Sequence, residues 1–82
     1  MEIISEDVTN RNRIDLTIKL NKRIFILEFK VIEEKNKINS ALKQIKDKNY
    51  SQKYLNDGEV YLIGIEFCKS EKNICNFEWL KV

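Results

Sequence analysis

Apolar and polar side chains alternate between Arg13 and Leu20. Ile14, Leu16, Ile18 and Leu20 fall on one side, and Arg13, Asp15, Thr17 and Lys19 on the other. That period of two predicts a strand with one face buried. The next stretch, Arg23 to Val31, is apolar almost throughout and is interrupted only by Glu28 and Lys30. An interior strand covered on both faces reads this way, and it rarely accepts charge without a reason. Asn21-Lys22 between the two stretches suits a tight hairpin turn. A loop of two or four residues centred there sets Ile18 opposite Phe25, Leu16 opposite Leu27 and Ile14 opposite Phe29. The other face then pairs Thr17 with Ile26 and Asp15 with Glu28. An odd loop would move one strand's side chains to the wrong face, which burial forbids.

The remaining pattern completes a small sheet. Glu2 to Val8 reads as a first short strand. Asn36 to Lys48 reads as a helix, with Ile38, Ala41, Leu42 and Ile45 at helical spacing, Asn36 as N-cap and Asn49 as the stop. Tyr50 to Leu55 adds a helical turn, and Asn56-Asp57-Gly58 is a turn signal. Val60 to Phe67 is a strongly apolar, central strand, and Asn76 to Val82 a final strand at the sheet edge. The order β-β-β-α-β-β predicts an α/β (α+β) fold with a mixed sheet. A right-handed crossover through the helix makes the third and fourth strands parallel neighbours. Tyr61, Ile63, Ile65 and Phe67 share one face of the fourth strand, and Val60, Leu62 and Gly64 the other, so both faces call for cover. One helix covers one face. A homodimer, or docking to a larger assembly, is the expected answer for the second.

Composition narrows the classes. The chain of 82 residues is long enough for one small domain, 1–82. There is no histidine. That excludes Ser-His-Asp hydrolases, HNH-type nucleases and histidine zinc sites. Cys68 and Cys75 lack C-x-x-C spacing, which leaves zinc and thioredoxin-like chemistry unsupported, and no histidine is present to activate either. They flank a short loop between two strands and could lie near one another, but in a reducing cytoplasm two free thiols are expected. No apolar run is long enough to span a membrane and no signal peptide opens the chain, which gives the expectation of a cytoplasmic protein without a membrane partner. Fifteen basic and 13 acidic residues leave a net charge of only +2. Lys35, Lys37, Lys43, Lys46, Lys48 and Lys53 nevertheless gather on or near the helix. They form either a solvated face or a surface for backbone phosphates.

The candidate chemistry lies on the hairpin. Opposed side chains in an antiparallel pair have Cβ atoms roughly 5 Å apart. Two carboxylates at that distance repel, and one tends to stay protonated unless a cation binds both. Oxygen ligands favour Mg²⁺, Mn²⁺ or Ca²⁺ over zinc. Lys30 lies on the same face, one diagonal step away, where an ammonium can orient water or stabilise charge on a phosphate. These parts suit hydrolysis of a phosphodiester.

The segments Thr9-Asn10-Arg11-Asn12-Arg13-Ile14-Asp15-Leu16, Ile26-Leu27-Glu28-Phe29-Lys30 and Gln44-Ile45-Lys46-Asp47-Lys48-Asn49-Tyr50 resemble the PD-(D/E)xK nuclease superfamily. The likeness is to the nuclease-like domain found at the C-terminus of bacterial AAA-ATPase-like proteins, and it covers nearly the whole chain. It implies a restriction-endonuclease-like core and a bacterial, Mg²⁺- or Mn²⁺-dependent nuclease acting on nucleic acid, DNA above all. By this resemblance Asp15, Glu28 and the backbone carbonyl of Phe29 hold the metal, Lys30 is the motif lysine, and Gln44 is a polar helix residue facing the site. Lys43, Lys46 and Tyr50 are candidates for nucleic-acid contact, although Tyr50 and Tyr54 also fit core packing. Trp79 is expected in the core or at an interface. Asn12 and Asn49 stand where the family commonly has glycine. The family's first helix, which often carries another acidic residue, is missing from this reading, so the domain is expected to be truncated. The alternative function is a catalytically inactive nuclease-fold module that binds nucleic acid or assembles with an ATPase partner.

Overall fold

The computed structural model of the chain describes residues 1–7, 12–35 and 40–82, with the backbone alone at Asp7. Five strands form one sheet in the order β1-β2-β3-β4-β5: β1 Glu2–Asp7, β2 Arg13–Leu20, β3 Arg23–Ile32, β4 Glu59–Cys68 and β5 Asn73–Lys81. Neighbours are antiparallel except β3 and β4, which run parallel as their helical connection requires. This is the mixed α+β architecture of the restriction-endonuclease-like class. The helix α1, Ala41–Asp47, and a 3₁₀ turn, Tyr50–Tyr54, lie in that connection.

The β2–β3 register is the one the apolar pattern requires. Ile18 faces Phe25, Leu16 faces Leu27, Ile14 faces Phe29 and Asp15 faces Glu28. The loop is the two residues Asn21 and Lys22, both with positive φ (51° and 52°), as a type I′ turn demands. Gly58 fastens β4 to this turn. Its φ is 149°, and a Cβ there would meet the Lys22 carbonyl oxygen at 2.1 Å. The following Glu59 N–H donates to that same carbonyl at 2.9 Å.

The core lies between the sheet and α1. Ile24 and Ile26 of β3, Val60 and Leu62 of β4, Ile45 of α1 and Tyr54 of the 3₁₀ turn form one buried cluster, with Leu42, Tyr50 and Leu80 packed against it. Burying each large aliphatic side chain here stabilises by about 1.5–3 kcal/mol. Gly64 lets the layers meet. A Cβ at that position would lie 2.2 Å from the Leu42 backbone nitrogen, so α1 rests on bare β4 backbone.

Two expectations are corrected, and a third is narrowed. The helix α1 starts at Ala41, later than expected, and Ser40 is its N-cap, the hydroxyl accepting from the Lys43 N–H at 3.1 Å. Residues 36–39, Ile38 among them, and Val8 of the first strand lie outside the described residues. Asn49 ends the helix as expected, with φ of 60°. Cys68 and Cys75 are not free thiols but a disulfide across β4 and β5, with Cα atoms 5.8 Å apart. The separation of seven residues places them on adjoining strands, because β5 starts at Asn73 and not at Asn76. Of the two places expected for Trp79, core or interface, the core is not the one it takes. It is 60% exposed on the outer face of the sheet, where none of the described helical residues lies over it.

That outer face is apolar across all five strands. Ile3, Ile14, Phe77 and Trp79 are exposed on it, and Phe25 stacks on Tyr61 with ring centroids 5.3 Å apart. Among the described residues, no helix is long and apolar enough to cross a membrane.

Candidate metal-binding and nuclease site

Asp15 and Glu28 face each other on the inner side of the sheet, and both are fully buried. Hairpin pairing sets their separation, and α1 with the 3₁₀ turn closes over them. A third ionised group joins them from the helix. Lys48, the C-cap of α1, donates from Nζ to Asp15 Oδ2 at 2.5 Å and to Glu28 Oε1 at 3.0 Å. The Lys48 backbone N–H is held by the Gln44 carbonyl at 3.2 Å, which fixes the last helical turn above the pair. The Tyr50 hydroxyl lies 3.5 Å from Asp15 Oδ2.

The electrostatics follow from burial. Removal from water pushes the Glu28 carboxyl above its ordinary pKa, and the Asp15 charge adds to the push against the opposing pull of Lys48. Burial works against the Lys48 charge, but its hydrogen bonds to Asp15 and Glu28 outweigh that and hold its pKa above the ordinary lysine value. Two carboxylates and one ammonium leave the cluster one negative charge in excess when all are ionised.

Asp15 Oδ1 is the one buried side-chain polar atom among the described residues that lacks a hydrogen-bond partner. An orphaned carboxylate oxygen beside a second carboxylate has the donor chemistry of a ligand for a hard cation. Among the described residues no three His, Cys, Asp or Glu side chains gather as a metal-binding set. Magnesium does not require one, since it keeps several waters and commonly takes one or two carboxylates. The residues present therefore fit a hydrated divalent ion.

The other expected site residues divide. Lys30 is on the same face of β3, level with Arg13 of β2 and Glu66 of β4. Phe29, between Glu28 and Lys30, is flanked by Ile14 and Ile65, and its side chain points to the outer face. Gln44 is half-buried on α1, one turn before Lys48. Lys43 and Lys46 point to solvent and do not reach the acidic pair. Tyr50 does reach it, and also packs on the core.

Lys48 escaped sequence reasoning as one lysine among six. Its signal was there: Ala41, Ile45 and Lys48 recur at helical spacing on the face that buries Ala41 and Ile45. Glu66 was also passed over, although a lone acid in an apolar strand invites the question Glu28 did. It is fully buried and accepts from the Ala41 N–H at 3.0 Å and from Asn76 Nδ2 at 3.1 Å. Ser40 adds a bond from its hydroxyl to Glu78 at 3.0 Å. The start of α1 is thus tied to β4 and β5, and its end to β2 and β3. Glu6 of β1 forms a separate anchor, accepting from Thr17 at 2.7 Å, Tyr54 at 2.5 Å and Lys53 at 2.7 Å.

A concavity lined by Leu20, Asn21, Lys22, Arg23, Gly58 and Glu59 lies at the hairpin turn, away from Asp15. It brings no acidic pair together; the facing carboxylates stand toward the other end of the hairpin.

Comparison with known proteins agrees with this geometry. The chain is 37% identical over 78 residues to an uncharacterized protein in the vnfD 5' region of Azotobacter chroococcum mcd 1. The match covers 94% of this chain and spans 15% of the relative's length. No solved structure matches. The profile of the PD-(D/E)XK nuclease superfamily matches residues 1–77, a span that holds Asp15, Glu28, Lys30 and α1. The chain belongs to the PD-(D/E)XK nuclease superfamily.

Proposed function

We propose that this domain hydrolyses phosphodiester bonds of nucleic acid, DNA in particular, with Mg²⁺ or Mn²⁺ as cofactor. The observation that supports this most is the buried Asp15–Glu28 pair with its unpartnered Oδ1. Asp15 and Glu28 hold the ion in this reading, with the Phe29 carbonyl and water completing its shell. A bound divalent ion supplies Lewis-acid polarisation of the phosphate and neutralises charge developing on it. Lys30 orients the attacking water and supports the phosphate, and Gln44 positions water or substrate from the helix. Lys43 and Lys46, exposed on α1, contact backbone phosphates, and Tyr50 lines the approach. Superfamily membership supports nuclease chemistry. DNA as substrate, a bacterial cytoplasmic setting, and a homodimer or an ATPase-like partner over the apolar outer face belong to the same proposal, as does the account of residues 1–82 as one domain.

The test is cleavage of plasmid and oligonucleotide DNA over a range of divalent metals. Asp15→Ala and Lys30→Ala should each abolish cleavage by an active wild type. Wild type and variants equally inert across all metals would overturn the proposal.

One observation favours the alternative of an inactive nuclease-fold module. Lys48 bridges both carboxylates, and an internal ammonium can serve a purely structural ion cluster. Calorimetric Mn²⁺ titration decides between them, since a structural cluster takes up no metal even with DNA present.

A further inference from the structure

Lys48 sits where an ion bridging Asp15 Oδ2 and Glu28 Oε1 would go. Its Nζ lies 2.5 Å from Asp15 Oδ2 and 3.0 Å from Glu28 Oε1. An ion drawing on both side chains at about 2.0–2.1 Å occupies nearly the same point. Two cations cannot share that space, and their repulsion is strong away from bulk water. The anions have little room to adjust, because they stand opposite each other on paired strands. Lys48 has that room. It ends α1, its side chain is 23% exposed, and its four-carbon stem leads toward solvent.

We propose that Lys48 is a resident counter-cation that exchanges with the metal: it holds the two carboxylates together in the metal-free protein and swings into solvent when a divalent ion binds. This inference rests on the proposed metal site. The exchange is balanced in charge. The ammonium leaves with its single positive charge, the ion arrives with two, and the one excess negative charge of the cluster is removed. Lys48 is thereby a positioning residue that sets metal affinity. It also eases the repulsion problem of the hairpin, since one of the two negative charges is offset before any metal arrives.

Two measurements on the 82-residue chain test this. The first is acylation of lysines by an amine-reactive ester, read peptide by peptide by mass spectrometry with and without saturating Mn²⁺. Lys48 labelling should rise several-fold with Mn²⁺, while exposed Lys43 and Lys46 on the same helix stay constant. The second is calorimetric Mn²⁺ binding to wild type and Lys48→Met. Removal of the competitor should tighten binding by about ten-fold, equivalent to 1.4 kcal/mol. Mn²⁺ binding without a rise in Lys48 labelling would overturn the exchange while leaving the metal site intact, even if Lys48→Met bound more tightly, because a fixed ammonium also repels a metal. Equal or weaker Mn²⁺ binding by a folded Lys48→Met would overturn it as well. No Mn²⁺ binding by either protein, with flat labelling, would remove the metal site itself and the exchange with it. If Lys48→Met fails to fold, the labelling of wild type still decides.

Discussion

Replacing Gly64 with alanine tests whether the close seating of α1 on β4 organises the site. The new Cβ would stand 2.2 Å from the Leu42 nitrogen, 2.7 Å from the Leu42 Cα and 2.8 Å from the Ala41 carbonyl carbon. Ordinary contact begins at 3.4 Å, so the nearest atom is about 1.2 Å too close. All three atoms are backbone, and no rotamer change can make room. The helix must therefore lift by about 1 Å. Overpacking of this kind costs about 1–3 kcal/mol. The lift also pulls Ala41 and Ile45 off the sheet and Lys48 off its carboxylates, so the upper end, about 3 kcal/mol, is expected. In a domain of this size, a loss of that order lowers the midpoint of thermal unfolding by about 12–24 °C. Urea denaturation followed by circular dichroism measures it. The double variant Gly64→Ala, Leu42→Ala supplies a control, since trimming the Leu42 side chain leaves the backbone clash untouched and should not rescue. A loss below about 1 kcal/mol, or full rescue by the double variant, would refute the seating argument.

Other consequences are as open to measurement. Glu6→Gln should destabilise by about 1–3 kcal/mol near neutral pH, because Glu6 accepts three hydrogen bonds, one of them from an ammonium. Burial raises the Glu6 pKa, but the bonds from Lys53, Tyr54 and Thr17 outweigh it and the net shift is downward from 4.5. A depressed carboxylate adds stability that is complete above its unfolded pKa and is lost as pH falls through the folded value. Urea midpoints from pH 7 to pH 3 should accordingly fall less steeply for Glu6→Gln than for wild type. Cys75→Ser should lower stability by about 2.5 kcal/mol at most, the amount set by so short a loop, and a reductant should have no further effect on that variant's unfolding midpoint. Trp79→Ser should cost under about 1 kcal/mol in dilute monomer, because the indole is 60% exposed. A larger loss that grows with protein concentration would show the outer face to be covered by a second copy.

The hairpin was legible because burial admits one register. Three apolar pairs had to share a face, and Asp15 opposite Glu28 followed without further assumption. The start of α1 was harder to read. Asn36 and Ser40 are both good N-cap residues, and what selects Ser40 is Glu66 and Glu78, which come from strands later in the chain. Lys48 was hidden for a similar reason. It meets Asp15 and Glu28 across 33 and 20 residues, and only the seating of α1 at Gly64 brings them together. The cysteines were misjudged because an assumed reducing compartment was allowed to outweigh strand adjacency.

The acidic pair hangs on a hairpin whose ladder is closed by a two-residue turn, whereas the ammonium arrives on a short helix standing on a single bare glycine. One partner of the ion cluster is therefore built like an anvil and the other like a lever. Substitutions along the upper surface of α1 can retune how firmly the lever presses without altering the anvil. In this architecture, affinity for cations and the spacing of the acids are separate inheritances.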